Sequence, residues 1–146
     1  MAEPPFSPSE LRAWKGLLRT HAALTSELGG ALQCELGLSI SEYEVLLKVC
    51  LAPDGTLDMP ELNRQAFLTH SGLSRLVTRL ERRGLLARGV DDCDRRCVTV
   101  TVTPEGRALF AAASQLHAEG VRTHFLGRLT HQEIATLGDV WDRLAE

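Results

Sequence analysis

Apolar residues recur at helical spacing along most of this chain, and one short stretch alternates with the period of a strand. Ser7-Pro-Ser-Glu10 is a capping box with proline in the first turn, and it opens a pattern that predicts a helix running to Cys34 or Leu36. Leu11, Trp14, Leu17, Leu18, Ala22, Leu24, Leu28, Ala31 and Leu32 cover more than half of its circumference, and Arg12, Lys15, Arg19, Ser26 and Gln33 leave a narrow polar stripe. Gly29-Gly30 weakens it by roughly 1 kcal/mol per glycine, which predicts a kink or a close helix crossing. Ser39 to Glu42 repeats the box for a short helix ending near Cys50, before the turn Pro53-Asp-Gly55.

A tighter sequence of signals follows. Asp58 caps a helix with Pro60 in its first turn, Glu61 at the reciprocal capping position and Leu57 and Leu62 at the staple positions. The next helix begins near Thr69 and stops at Gly84, with Leu73, Leu76, Val77 and Leu80 on its inner face. Leu85 to Val90 is a short apolar run, and Cys97 to Thr103 alternates Val98, Val100 and Val102 against three threonines, so the two runs make a hairpin. Thr103-Pro-Glu caps a helix with a seam of Leu109, Phe110, Ala113, Leu116, Val121 and Phe125, reaching about Leu129. Thr130 to Glu133 caps a last helix whose single stripe is Leu137, Val140, Trp141 and Leu144. The class is therefore mainly α with a small β-hairpin wing. Residues 1–146 form one protomer, with a winged helix-turn-helix lobe at 39–103 and helices at 7–36 and 104–146 forming a dimerisation region. The last assignment rests on the first helix, which is apolar on too many sides for one core to cover and needs a partner subunit.

Outward on the second helix of the pair stand His70, Ser71, Ser74, Arg75, Thr78, Arg79 and Arg82, all polar, beginning at the cap Thr69. Guanidinium groups on successive turns fit phosphates and guanine edges. The bland alternative is a solvated basic face. The loop Asp91-Asp-Cys-Asp-Arg-Arg96 changes the balance, because a hairpin tip carrying Arg95 and Arg96, one of them oriented by Asp94, suits insertion into a minor groove. The net charge of −3 taken alone opposes a nucleic-acid partner, but residues 64–96 hold eight arginines against four acids, a local +4 that leaves −7 elsewhere. Binding follows the local field, since charges beyond a Debye length of about 10 Å are screened. The expected partner is double-stranded DNA, with Arg64 and Arg82 on phosphates and Ser71, Ser74, Arg75 and Thr78 at base edges. A hydrophobic content of 44% supports a core without disulfides. There is no stretch of membrane-spanning length and no export signal, so a cytoplasmic location is expected.

Ser71 to Leu85, the loop Asp91 to Arg96, and Val102-Thr-Pro-Glu-Gly106 together resemble the DNA-binding lobe of the MarR (multiple antibiotic resistance regulator) family. Leu38 to Leu47 and Leu129-Thr-His-Gln-Glu-Ile134 also match that family's patterns, so the resemblance covers nearly the whole chain. It implies a homodimeric, mostly repressing transcription factor, with a recognition helix starting near Thr69 and a wing arginine at Arg95 or Arg96. Asp92 stands where the family usually has proline. The resemblance also implies an effector site between the dimerisation helices and the DNA-binding lobe. His21, His117 and His124 sit in otherwise apolar patterns, with Trp14 and Tyr43 as aromatic companions, and are the candidates for holding a small organic effector. The competing reading makes the histidines structural groups at a subunit seam and the aromatics plain core. No metal or other cofactor is expected, because structural zinc takes four ligands at short spacings.

Cys93 and Cys97 flank the wing tip, which raises a redox-responsive regulator as an alternative, against which stands the absence of an activating histidine or helix start. Cys34 and Cys50 read as core residues. No phosphate loop, nucleophile elbow, carboxylate pair or metal run supports an enzyme. A winged-helix protein-protein module is the competitor from another functional class. It predicts an apolar reading face, which Arg75, Arg79, Arg95 and Arg96 contradict.

Overall fold

The computed structural model describes residues 5–66, 68–90 and 97–145. The wing loop, and with it Cys93, Asp94, Arg95 and Arg96, lies outside the described residues. Helix α1 spans Pro8–Leu36 and α2 spans Ile40–Leu51. Both start on the expected capping boxes, with Ser7 and Ser39 accepting from the third helical amide and Glu10 and Glu42 reaching back to the cap amides. A single 3-10 turn at Pro53–Gly55 leads to strand β1 at Thr56–Asp58, then to α3 at Met59–Gln65 and α4 at His70–Arg82. Strands β2, Leu86–Val90, and β3, Val98–Val102, precede α5 at Pro104–His124, a 3-10 turn at Leu126–Arg128 and α6 at His131–Ala145.

The wing has three strands rather than two. β1 pairs antiparallel with β3, placing Leu57 opposite Val100, and β3 pairs antiparallel with β2, placing Arg88 opposite Val100 from the other side. Three residues before a helix cap carry too little alternation to be read as a strand, and the Oγ1 atoms of Thr56 and Thr101, 2.9 Å apart, fasten the added edge. The capping of α3 also departs from expectation. Asp58 accepts from the Glu61 amide at 2.6 Å, but the Glu61 carboxylate turns away from the cap to meet Arg64 and Gln65.

Two glycines set the junctions around the wing. Gly84, at φ 72°, ends α4 in a Schellman arrangement in which Leu85 N–H donates to Leu80 O and Gly84 N–H to Glu81 O, so the chain reverses directly into β2. Gly106, in the first turn of α5, lies so close to the Leu85 carbonyl that a Cβ there would collide with it. Thr103 closes the same corner, donating to Gly84 O at 2.6 Å and accepting from Gly106 N–H.

The core gathers under the lobe. Leu32 and Leu38 flank the α1–α2 corner, α2 contributes Val45, Leu46 and Val49, and these meet Leu62, Leu73, Val77, Leu80, Leu86 and Val100. The inner face of α4 is thus as expected, although Leu76 is only half-buried at its edge. Along the other side, α5 crosses α1 where Gly120 lets it approach Leu28. α1 is one continuous helix through Gly29-Gly30, and a Cβ on Gly29 would meet only Ile40 at ordinary contact distance and one on Gly30 nothing, so the close approach is made by Gly120 of α5 and not by this pair.

The remaining helical region contradicts three expectations. α5 ends at His124, five residues before Leu129, because Phe125 leaves helical geometry at φ −127° and ψ −74°. Cys34 is exposed, and only Cys50 packs against the core. His21 is exposed on α1, not buried. No described helix is long and apolar enough to cross a membrane.

Candidate nucleic-acid interface

α4 presents the candidate reading face because its two sides are unlike. Leu73, Val77 and Leu80 are fully buried, and Thr69, His70, Ser71, Arg75, Arg79 and Arg82 are exposed on the opposite side. Thr69 caps the helix by accepting from Gly72 N–H at 3.2 Å, leaving neighbouring amides at the helix start available to an anion. Thr78 is less available than the sequence suggests. Thr78 Oγ1 donates to Ser74 O at 2.8 Å and is itself met by Arg88 Nη2 at 3.0 Å.

Arg88 is the functional residue the sequence reading passes over. From β2 its guanidinium donates to Ser74 O at 3.1 Å and to Glu81 Oε2 at 2.8 Å, so one side chain ties the wing strand to two turns of α4. The signal was an arginine interrupting the apolar run Leu85–Val90, with Glu81 available on the preceding helix. Charge-assisted bonds of this kind are stronger than neutral ones and fix orientation. Strand β2 is therefore bonded directly to α4.

A second connection runs beneath α4. Glu42 of α2 is almost fully buried, accepts from Ser39 N–H at 2.8 Å, and faces Arg79 at 3.7 Å and Arg83 at 3.5 Å. Arg83 also donates to Gly37 O at 3.0 Å. On α3, Arg64 is exposed but held against Glu61 by two bonds of 2.6 and 2.8 Å, and that pairing, followed by the Gln65 bond, holds the Glu61 carboxyl down to about 2.

The five effector candidates do not form one cluster. Tyr43 is buried and stacks on His117 of α5, with centroids 4.8 Å apart, and on Phe110 at 6.0 Å. Trp14 and His124 line a different space, an open groove of about 870 Å³ between α1, the end of α5 and α6, together with Leu17, Leu24, Val140 and Trp141. His21 lines neither. A seven-residue separation puts His117 and His124 on one face of α5, but two turns of rise give them different neighbours. Among the described residues, no group of three or more His, Cys, Asp or Glu is arranged to hold a metal ion. The Cys50 thiol is pushed up by burial, partly offset by Arg107, and so is poorly suited to act as a thiolate.

Residues 36–96 match the family model described as "MarR family". The chain is 32% identical over 114 residues to the HTH-type transcriptional repressor Rv2887 of Mycobacterium tuberculosis, a match covering 78% of this chain and 79% of the relative. It is 30% identical over 95 residues to the HTH-type transcriptional regulator FarR of Neisseria gonorrhoeae, taking in 65% of this chain and 63% of the relative's length. In three dimensions it superposes with a TM-score of 0.89 and 29% identity on Sco3205, a MarR family transcriptional regulator from Streptomyces coelicolor solved in complex with DNA, over 97% of this chain and 92% of that one. These relatives are transcriptional regulators, not enzymes.

Proposed function

Because the chain belongs to the MarR family of transcriptional regulators, we propose that it is a sequence-specific repressor that binds a pseudo-palindromic operator as a homodimer and is released by a small organic effector. The observation that carries this reading is the face of α4, where Arg75, Arg79 and Arg82 stand exposed above a closed apolar core. Two copies set their α4 helices in successive major grooves, about one helical turn apart. His70, Ser71 and Arg75 read base edges. Ser74, whose carbonyl alone is met by Arg88, reads a base edge with them, and Thr78, whose hydroxyl is engaged by Arg88, acts mainly by holding the helix to the wing. Arg64 and Arg82 take phosphates together with the amides after Thr69, and Arg95 or Arg96, oriented by Asp94, enters the flanking minor groove.

The second copy is expected on the α1–α6 face. Trp14, Trp141 and Leu144 line its groove and are 53%, 43% and 72% exposed, Leu18 is a further 49% exposed apolar residue of α1, and an exposed apolar surface of that kind marks an interaction site. This assigns residues 7–36 and 104–146 to dimerisation and 39–103 to DNA binding. The effector role falls to the half-buried His117 with Tyr43, at the junction between α2 of the lobe and α5 of the dimerisation region. A ligand favouring a spacing of the two reading helices that DNA disfavours would release the operator by linkage.

The test is selection of bound fragments from the source genome, followed by titration of a selected duplex with Arg75→Ala and with Arg95→Ala/Arg96→Ala. Each variant should lose on the order of 1 to 3 kcal/mol of binding, and the wing variant should flatten the salt dependence. Retention of no preferred fragment by the native protein would overturn the assignment.

A further inference from the structure

Glu42 is the only charged side chain among the buried described residues, and it sits on the wrong side of the electrostatics for a DNA-binding lobe. Its Oε2 accepts from Ser39 N–H, which satisfies the α2 cap. Its Oε1 faces Arg79 Nη1 at 3.7 Å. Arg79 is nevertheless 64% exposed on the reading face, so one guanidinium looks both to a buried carboxylate and to the solvent side where a duplex docks. A neutral cap was chemically available at this position, since glutamine serves the same reciprocal role at the third helical residue. The charge is therefore not required by the cap, and burying it carries a desolvation cost that its two arginines offset together with the Ser39 N–H bond.

We infer that Glu42 is a positioning residue that makes Arg79 selective: it holds the guanidinium in one orientation and cancels part of its charge, so that Arg79 contributes to a fitted base contact and little to indiscriminate phosphate contact. Phosphate attraction is independent of sequence and supplies nearly all non-specific binding, and a free arginine strengthens it wherever the protein lands. An arginine already paired exchanges one anion for another when it meets a phosphate, and gains little. A correctly oriented donor meeting a base edge keeps its pairing and adds a bond, so the carboxylate widens the gap between right and wrong sites. Arg83 does not share this role. It is only 33% exposed and is also tied to Gly37 O.

This rests on the proposal that α4 binds DNA, and the experiment separates the two. Native protein, Glu42→Gln, Arg79→Gln and the double variant are titrated over a range of salt against a mixed-sequence duplex and against a duplex selected from the source genome. Glutamine preserves the cap, so the melting temperature should stay close to native. Glu42→Gln should bind the mixed-sequence duplex about 3-fold or more tightly, with a salt slope steeper by about 0.9, the mark of one added phosphate contact. Its preference for the selected duplex should fall, and both changes should vanish in the Arg79→Gln background. Equal mixed-sequence affinity and slope for native and Glu42→Gln, or parallel loss on both duplexes with a lowered melting temperature, would overturn the inference while leaving the DNA reading intact. If the native protein binds neither duplex at low salt, both fall.

Discussion

α4 and α6 are both amphipathic, each with a stripe of large apolar residues, yet they end in opposite circumstances. The stripe of α4 is covered but for the half-buried Leu76 at its edge: Leu73, Val77 and Leu80 have no exposed surface. α6 has no buried residue, and Trp141 and Leu144 remain 43% and 72% exposed beside a groove shared with α1. The lobe around α4 is closed by its own chain, and its polar groups are joined by bonds from α2 and β2. The α1–α6 face is unfinished within one chain. An apolar stripe states that a face will be covered, and the element that covers it is decided by topology.

The sharpest way to break this contrast is to cut the same amount of apolar surface from each region. Leu73→Ala should lower the stability of the single folded chain by about 2 to 5 kcal/mol, since a fully buried leucine leaves a cavity its neighbours cannot fill. Leu144→Ala should change it by less than about 0.5 kcal/mol, as expected of an exposed site. Urea titrations at protein concentrations low enough to separate any dimer would measure both, and equal losses would erase the distinction.

Next in size is an effect on assembly. Leu18→Glu places a charge on the exposed face of α1, 49% accessible in the single chain, and should yield a monomer in sedimentation with the lobe still folded. Apparent affinity for a two-half-site duplex should then fall by about 10²-fold or more, because two linked lobes raise each other's effective concentration. A dimeric product would place the partner surface elsewhere.

These outcomes track which parts were legible in the sequence. Caps were readable because they are local: Ser7, Ser39, Asp58, Thr69 and Thr103 each accept from an amide three residues on, as their spacing implies. The period-two run Val98–Val102 was readable for the same reason. β1 was not, because a three-residue strand exists only through its pairing with β3 across more than forty residues. The outward row of α4 was legible as a helical face, but the partial withdrawal of the Thr78 hydroxyl was not, since Arg88 reaches it from another element. Glu42 shows the limit most clearly. Its spacing marks a cap, which it is, and nothing local discloses that Arg79 and Arg83 come to face the same carboxylate. Likewise, helical spacing grouped His117 with His124, and their packing separates them, with Tyr43 of α2 against one and the α1–α6 groove against the other.

Arg88 offers a way to sharpen the comparison inside the closed region. Arg88→Ala should cost about 1 to 3 kcal/mol, the penalty for leaving the half-buried Glu81 carboxylate and Ser74 carbonyl without a charged donor. The loss should appear as faster amide exchange in β2 and β3 relative to α4, because the bond network joins those elements. Uniform acceleration across the lobe would mean that the side chain stabilises the fold generally and does not couple wing to helix.

The smallest effect belongs to Glu61, on the solvent side of α3. Its carboxyl is held at about 2, below the ordinary value of 4.5, first by Arg64 and then by Gln65. A carboxyl depressed by folding binds protons more weakly in the native state, so its contribution is complete above 4.5 and disappears as pH falls through about 2. Glu61→Gln should therefore melt slightly below the native protein at neutral pH, and the difference should close as pH is lowered through that window. Salt should close it too, because an ion pair at an exposed site is screened. The same substitution frees Arg64, so duplex affinity should rise slightly even as stability falls. A melting difference that persists unchanged below pH 2 would assign the role of Glu61 to packing in α3 instead of to its charge.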